Sequence, residues 1–74
     1  DYGRKSSEQG NVKFRRSLYF IQDIVQGEII TEKHIKSIRP GYGLAPKHYD
    51  EILGKHAMED IKSGTAVTWE HIKQ

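Results

Sequence analysis

Asp23-Ile24-Val25-Gln26-Gly27-Glu28-Ile29-Ile30-Thr31-Glu32-Lys33-His34-Ile35 returns as Asp60-Ile61-Lys62-Ser63-Gly64-Thr65-Ala66-Val67-Thr68-Trp69-Glu70-His71-Ile72, offset by 37 residues. Six of the thirteen positions are identical, and Ile30 in the first copy faces Val67 in the second. A stacked solenoid needs about three or more repeats for stability. Two copies instead imply two matching halves of one small fold. Residues common to both copies are expected to build the scaffold, so function is sought in what is not repeated.

Outside the repeat, the chain is bounded by its size. Seventy-four residues allow a single domain. Residues 1–14 (DYGRKSSEQGNVKF) supply almost nothing apolar, so the folding unit is smaller still. A unit of that size buries only ~60% of its unfolded surface and is marginal unless something supports it. The chain has no cysteine, and its Cys/His spacing suits no structural zinc. This composition fits a reducing cytoplasm and a domain that gains stability from a neighbour. No apolar run approaches the ~18 residues of a membrane span, and no signal peptide is expected.

The net charge of +2 is unevenly placed. Residues 1–16 hold Arg4, Lys5, Lys13, Arg15 and Arg16 against Asp1 and Glu8, a balance of +3. Residues 17–74 hold seven Lys/Arg against eight Asp/Glu, a balance of −1, with alternating signs. A nucleic-acid footprint requires clustered positive charge on the folded face, which this pattern does not provide. Residues 1–13 read as a linker joining residues 14–74 to a domain on their N-terminal side.

Along residues 14–74, Ser17 to Ile21 is β-branched and aromatic enough for a strand. Asp23 to Gly27 turns the chain, with the Asp placed to stabilise the turn that follows and Gly27 available for a positive φ. Ile29-Ile30 is a short apolar strand, and Thr31 caps one helical turn ending at His34. Asp60, Gly64, Ala66-Val67 and Thr68 repeat these steps. Between the copies, Lys36 to Arg39 is extended, because a residue before proline is pushed away from the α region. Pro40-Gly41-Tyr42-Gly43 forms a tight loop. Pro46 suits the first position of a short helix, Gly54 suits its end, and Tyr49, Ile52 and Leu53 share its apolar face. Such brief elements predict a compact, mostly β fold with short helical turns, its halves related by a pseudo-twofold axis.

Little in the chain is equipped for catalysis. A metal site needs ligands that converge, and His34, His48, His56 and His71 lack that spacing, so exposed or capping roles are expected. Asp50-Glu51 and Glu59-Asp60 are sequence neighbours whose side chains diverge, which makes neither a natural acid/base dyad. No nucleophile motif and no phosphate-binding glycine loop is present. Arg39 is the functional candidate. It sits at the tip of the non-repeated stretch beside Pro40 and two glycines, and a guanidinium held by a stiff loop offers directional donors to a carboxylate, phosphate or amide carbonyl.

Phe14-Arg15-Arg16-Ser17-Leu18-Tyr19, Asp23-Ile24-x-x-Gly27, Ser37-Ile38-Arg39-Pro40-Gly41-Tyr42-Gly43-Leu44, Leu53-Gly54-Lys55 and Asp60-Ile61-x-x-Gly64-Thr65 follow one another in this order. Together they resemble the C-terminal antifreeze-like (SAF) domain of the sialic acid synthase family across residues 14–73. The resemblance implies a pretzel-like antifreeze-like/SAF (β-clip) fold with an internal pseudo-twofold. It also implies a parent transferase of carbohydrate biosynthesis, of bacterial type. That enzyme would condense phosphoenolpyruvate with the aldehyde of an N-acetylated amino sugar, giving a nine-carbon 2-keto acid (a nonulosonic acid) and phosphate. The catalytic residues and a divalent metal, Mn²⁺ or Mg²⁺, would belong to a (β/α)8 barrel, with no catalytic residue, metal or cofactor in this domain.

In such enzymes the antifreeze-like domain covers the active site of the partner subunit's barrel in a domain-swapped homodimer. The resemblance therefore assigns Arg39 to the sugar's N-acetyl group, with Pro40, Gly41, Tyr42 and Gly43 positioning it. Ile38 to Lys55, Gly64-Thr65 and Trp69 look more like the pseudaminic acid synthase branch than the N-acetylneuraminate branch. The amino sugar itself is mostly selected in the barrel. The fold is also similar to type III antifreeze proteins of fish, but ice binding wants a flat neutral face, and Glu28, Glu32 and Lys33 charge the first-repeat surface. Neither ice, nucleic acid nor membrane is expected as a partner. The alternative reading is a free-standing SAF module that binds carbohydrate or protein without an enzymatic role.

Overall fold

The structure is a computed structural model and describes residues 14–74. The expected linker, residues 1–13, lies outside the described residues. Strand β1 (Ser17–Phe20) pairs antiparallel with β2 (Ile35–Ile38), in the register Ser17 to Ile38 and Phe20 to Ile35. A 3₁₀ turn (Pro46–His48) runs directly into α1 (Tyr49–Ile52). Strand β3 (His56–Ala57) then pairs antiparallel with β4 (Ile72–Lys73), and a second 3₁₀ turn (Trp69–His71) precedes β4.

The repeat seen in the sequence is a repeat in the backbone. Phe20 pairs with Ile35 and Ala57 with Ile72, equivalent positions in the two halves. The halves meet at Ile24 and Ile61, which exchange N–H···O bonds of 2.9 and 2.8 Å. From there the correspondence runs outward. The Gly64 N–H donates to the Phe20 carbonyl as that of Gly27 does to Ala57, and the Ile21 N–H donates to the His34 carbonyl as that of Met58 does to His71. Val67 donates to Leu18 as Ile30 donates to Lys55, which carries the symmetry back to residue 18, beyond the similarity visible in the letters.

Gly27 and Gly64 occupy the left-handed region at φ +85° and +94°, where a Cβ is strained, so both copies need glycine at the turn. The hydrophobic core follows the same axis. Phe20/Ala57, Ile24/Ile61, Ile30/Val67 and Ile35/Ile72 are four equivalent buried pairs, completed by Leu18 and Ile52. Leu44, Tyr49, Leu53 and Trp69 close over this core half-buried.

Several expected boundaries shift. β1 stops at Phe20, because Ile21 turns outward and only its N–H stays tied, to the His34 carbonyl. Ile29-Ile30 forms no strand. Ile29 makes an isolated bridge to His56 with its side chain exposed, while Ile30 is buried. The extended stretch expected over Lys36–Arg39 is displaced by one residue as β2. Helix α1 has the expected Pro46 entry and is followed by Gly54 at φ +91°, and Ile52 is its buried residue.

The Asp expectation also needs correction, since neither Asp23 nor Asp60 bonds its own turn. Asp23 Oδ1 accepts the Ser63 N–H and Asp60 Oδ1 accepts the Gln26 N–H, each at 2.8 Å. The Ile24–Ile61 exchange sets the two turns against each other, so each carboxylate meets the other turn's free N–H.

Candidate functional site

The non-repeated loop, residues 39–43, is built on β1. After Ile38 leaves its pairing with Ser17, the Arg39–Pro40 peptide is cis and the chain folds back over the start of that strand. The Ser17 side chain lies beneath the loop. Its hydroxyl donates to the Pro40 carbonyl at 2.9 Å and accepts the Gly43 N–H at 3.0 Å.

Beyond the loop, Leu44 is bonded through its backbone to both Leu18 and Val67. Its N–H donates to the Val67 carbonyl, and its carbonyl accepts the Leu18 N–H, each at 2.9 Å. Neither loop glycine has a positive φ; both are needed for close approach. A Cβ on Gly43 would collide with the Leu18 carbonyl and stand 3.0 Å from the Val67 nitrogen. One on Gly41 would meet the Arg15 side chain at 3.0 Å.

Arg39 is exposed. Its Nε donates to the Phe14 carbonyl at 2.8 Å. Among the described residues its two terminal nitrogens have no hydrogen-bond or ion-pair partner. The guanidinium is thus tethered at one edge and offers its fork of N–H donors outward. Tyr42 stands 67% exposed on the same loop, and Phe14, Arg15 and Arg16 beside it are exposed as well. Arg16 is steadied by donation from Nη1 to the Ser37 carbonyl at 3.2 Å.

His34, His48 and His71 have their polar partners within the scaffold. The Thr31 N–H donates to His34 Nδ1 at 3.0 Å, and the Thr68 N–H donates to His71 Nδ1 at 3.1 Å, so two equivalent histidines cap two equivalent turns. His48 is 3.0 Å from Glu51 and meets the Trp69 ring edge-on, whereas His56 is exposed. Glu59 is 4.0 Å from His71, while its neighbour Asp60 is spent on Gln26, so that pair diverges.

Among the described residues there is no group of three or more His, Cys, Asp or Glu that could hold a metal ion. No helix among them is long and apolar enough to cross a membrane. An open groove of about 530 Å³ lies elsewhere, lined by Ile21, Glu32, Ile35, Lys36, Ser37, Pro46 and Tyr49. Arg39 is not part of its lining. The loop that carries Arg39 and Tyr42 is thus an exposed surface feature, separate from that groove.

The bonds of Ser17 to the loop are the contact that sequence reasoning overlooked. In the string Ser-Leu-Tyr-Phe the serine reads as one more strand position, and only the return of the loop reveals the hydroxyl's task.

A family model described as "SAF domain" matches residues 15–73. The chain belongs to the SAF domain family. This agrees with the motifs that run from Phe14 to Thr65. Over 57 residues the SAF domain is 53% identical to a pseudaminic acid synthase of Campylobacter jejuni, covering 77% of this chain and 17% of the relative. It is 46% identical over 61 residues to a pseudaminic acid synthase of Helicobacter pylori, covering 82% and 18%. An N,N'-diacetyllegionaminic acid synthase of Legionella pneumophila is 36% identical over 59 residues, covering 80% and 17%. The chain thus spans about a sixth of the length of these relatives.

Among solved structures, the spore coat polysaccharide biosynthesis protein spsE of Bacillus subtilis superposes with a TM-score of 0.79 at 28% identity, covering 95% of this chain and 20% of that one. The antifreeze protein like domain of human N-acetylneuraminic acid phosphate synthase superposes with a TM-score of 0.73 at 17% identity, covering 78% and 75%. The second match bears on the fold alone, and the fold is the antifreeze-like one that the motifs implied.

Proposed function

We propose that this SAF domain is the substrate-capping part of a nonulosonic acid synthase, an enzyme that joins phosphoenolpyruvate to an N-acetylated amino sugar and releases phosphate. The observation that carries the reading is the state of Arg39: exposed, anchored among the described residues through Nε, and carried on a loop built from beneath. In the proposed complex the domain lies over the partner subunit's barrel in a domain-swapped homodimer. Arg39 then donates to the carbonyl oxygen of the sugar's N-acetyl group, an acceptor that suits a planar fork of N–H donors. Pro40, Gly41, Tyr42 and Gly43 hold it in place. The catalytic acids and bases and the Mn²⁺ or Mg²⁺ would be the barrel's, and the enzyme would work in the cytoplasm.

The pseudaminic branch is supported by the higher identity to two pseudaminic acid synthases than to a legionaminic one. The exposed charges of Glu28, Glu32 and Lys33 argue against ice as a ligand. The test is to express the full reading frame and incubate it with phosphoenolpyruvate, a divalent metal and the N-acetylated amino-sugar substrates of these synthases. Release of phosphate with formation of a nine-carbon 2-keto acid is the expected result. A frame without a (β/α)8 barrel, or a barrel inert toward every such sugar, would favour the free-standing binding module.

A further inference from the structure

We propose that Ser17 is the positioning residue of the Arg39–Gly43 loop, holding it in the geometry in which Arg39 meets the sugar. The role assigned to the sugar rests on the proposed function; the clamp itself rests on geometry. Ser17 is 1% exposed, the buried polar side chain among the described residues, and a buried hydroxyl must find partners. Both of its partners are loop backbone groups, the Pro40 carbonyl and the Gly43 N–H, which flank Gly41-Tyr42.

The loop contributes no buried side chain. Arg39 and Tyr42 are exposed, and Pro40, Gly41 and Gly43 are half-buried, so apolar burial does not fix its shape. Its ends are held in other ways. Ile38 is paired to Ser17 in the β1–β2 ladder, and Leu44 is bonded to both Leu18 and Val67. Between these ends Ser17 is the side chain that ties the loop's two limbs together. With alanine at position 17 the Gly43 N–H and the Pro40 carbonyl lose that partner, while every apolar contact of the core is kept. The loop then samples other shapes, and Arg39 spends less time in the one that fits the sugar.

The experiment uses the full-length enzyme, with Ser17→Ala and Ser17→Thr beside wild type. Amide hydrogen exchange is read over residues 39–44 and over Ile24 and Ile61, and KM is measured for each substrate. In S17A, exchange over 39–44 should quicken roughly five- to tenfold while Ile24 and Ile61 keep their protection. The KM for the amino sugar should rise by a similar factor, and that for phosphoenolpyruvate should stay within about twofold. S17T, which retains the hydroxyl, should recover most of both effects.

Unchanged exchange over 39–44 overturns the proposal. So does equal quickening at Ile24 and Ile61, which would make Ser17 an ordinary structural residue, and so does an equal rise in both KM values. If wild type turns over no amino sugar, the proposed function fails, and the exchange comparison still decides the clamp.

Discussion

Asp23 and Asp60 each complete the other's half of the molecule. The carboxylate of Asp23 receives the Ser63 N–H and that of Asp60 receives the Gln26 N–H, both at 2.8 Å, on either side of the Ile24–Ile61 exchange. Four bonds thus link two turns that lie 37 residues apart in the chain. This is the joint that makes two weak halves into one domain, and it explains why the aspartates recur in both copies.

Equivalence of the two bonds has a direct consequence for stability. Asp23→Ala and Asp60→Ala should each cost about 1 kcal/mol, the usual net worth of one hydrogen bond at a partly solvated site. The two losses should agree within about 0.5 kcal/mol. Urea unfolding followed by the fluorescence of Trp69, the single tryptophan, measures both. One silent variant beside one strongly destabilised variant would contradict the symmetry.

Glycines 41 and 43 should respond differently to the same change. In Gly43→Ala the added methyl meets backbone, the Leu18 carbonyl and the Val67 nitrogen, which cannot yield without opening the strand. A loss of about 2–4 kcal/mol is expected. In Gly41→Ala the methyl meets the flexible, exposed Arg15 side chain, which can swing away, and the loss should stay below about 1 kcal/mol. Parallel unfolding curves of the two variants decide the point; equal losses would show that the loop is not seated on β1 as described.

The two capping histidines offer a further comparison. His34→Ala and His71→Ala each remove the acceptor for a Thr backbone N–H, a bond worth about 1 kcal/mol. His71 also meets Phe20 edge-on at 5.5 Å between centroids. In the other half the position equivalent to Phe20 is Ala57, which carries no ring. His71→Ala should therefore cost more, by about 0.5–1.5 kcal/mol. Thermal unfolding of the pair measures the difference, and a larger loss at His34 would contradict it.

How much of this was legible beforehand depended on whether a residue's partner was local. The Gly27 and Gly64 turns, the Thr caps and the Pro46–Gly54 helical segment rest on neighbours a few positions away, and sequence reading found them. The Asp23 and Asp60 bonds and the Ser17 clamp join residues 23 to 40 positions apart, so local pattern assigned the aspartates to their own turns and passed over the serine. Arg39 is a candidate by elimination, as a residue on the unrepeated stretch beside Pro40 and two glycines. Its tether to the Phe14 carbonyl, at a separation of 25 residues, could not be read that way.

The central claim is that Arg39 serves the substrate of another body. It is tested most directly by kcat/KM for the amino sugar in the full-length enzyme carrying Arg39→Ala. Loss of a charged hydrogen bond is worth ~1.5–3 kcal/mol, so the account predicts a fall of roughly ten- to a hundredfold. Unfolding of the variant should lose no more than about 1 kcal/mol, because the exposed guanidinium gives up its bond to the Phe14 carbonyl and leaves the core untouched. An unaltered kcat/KM in a properly folded Arg39→Ala enzyme would contradict the account.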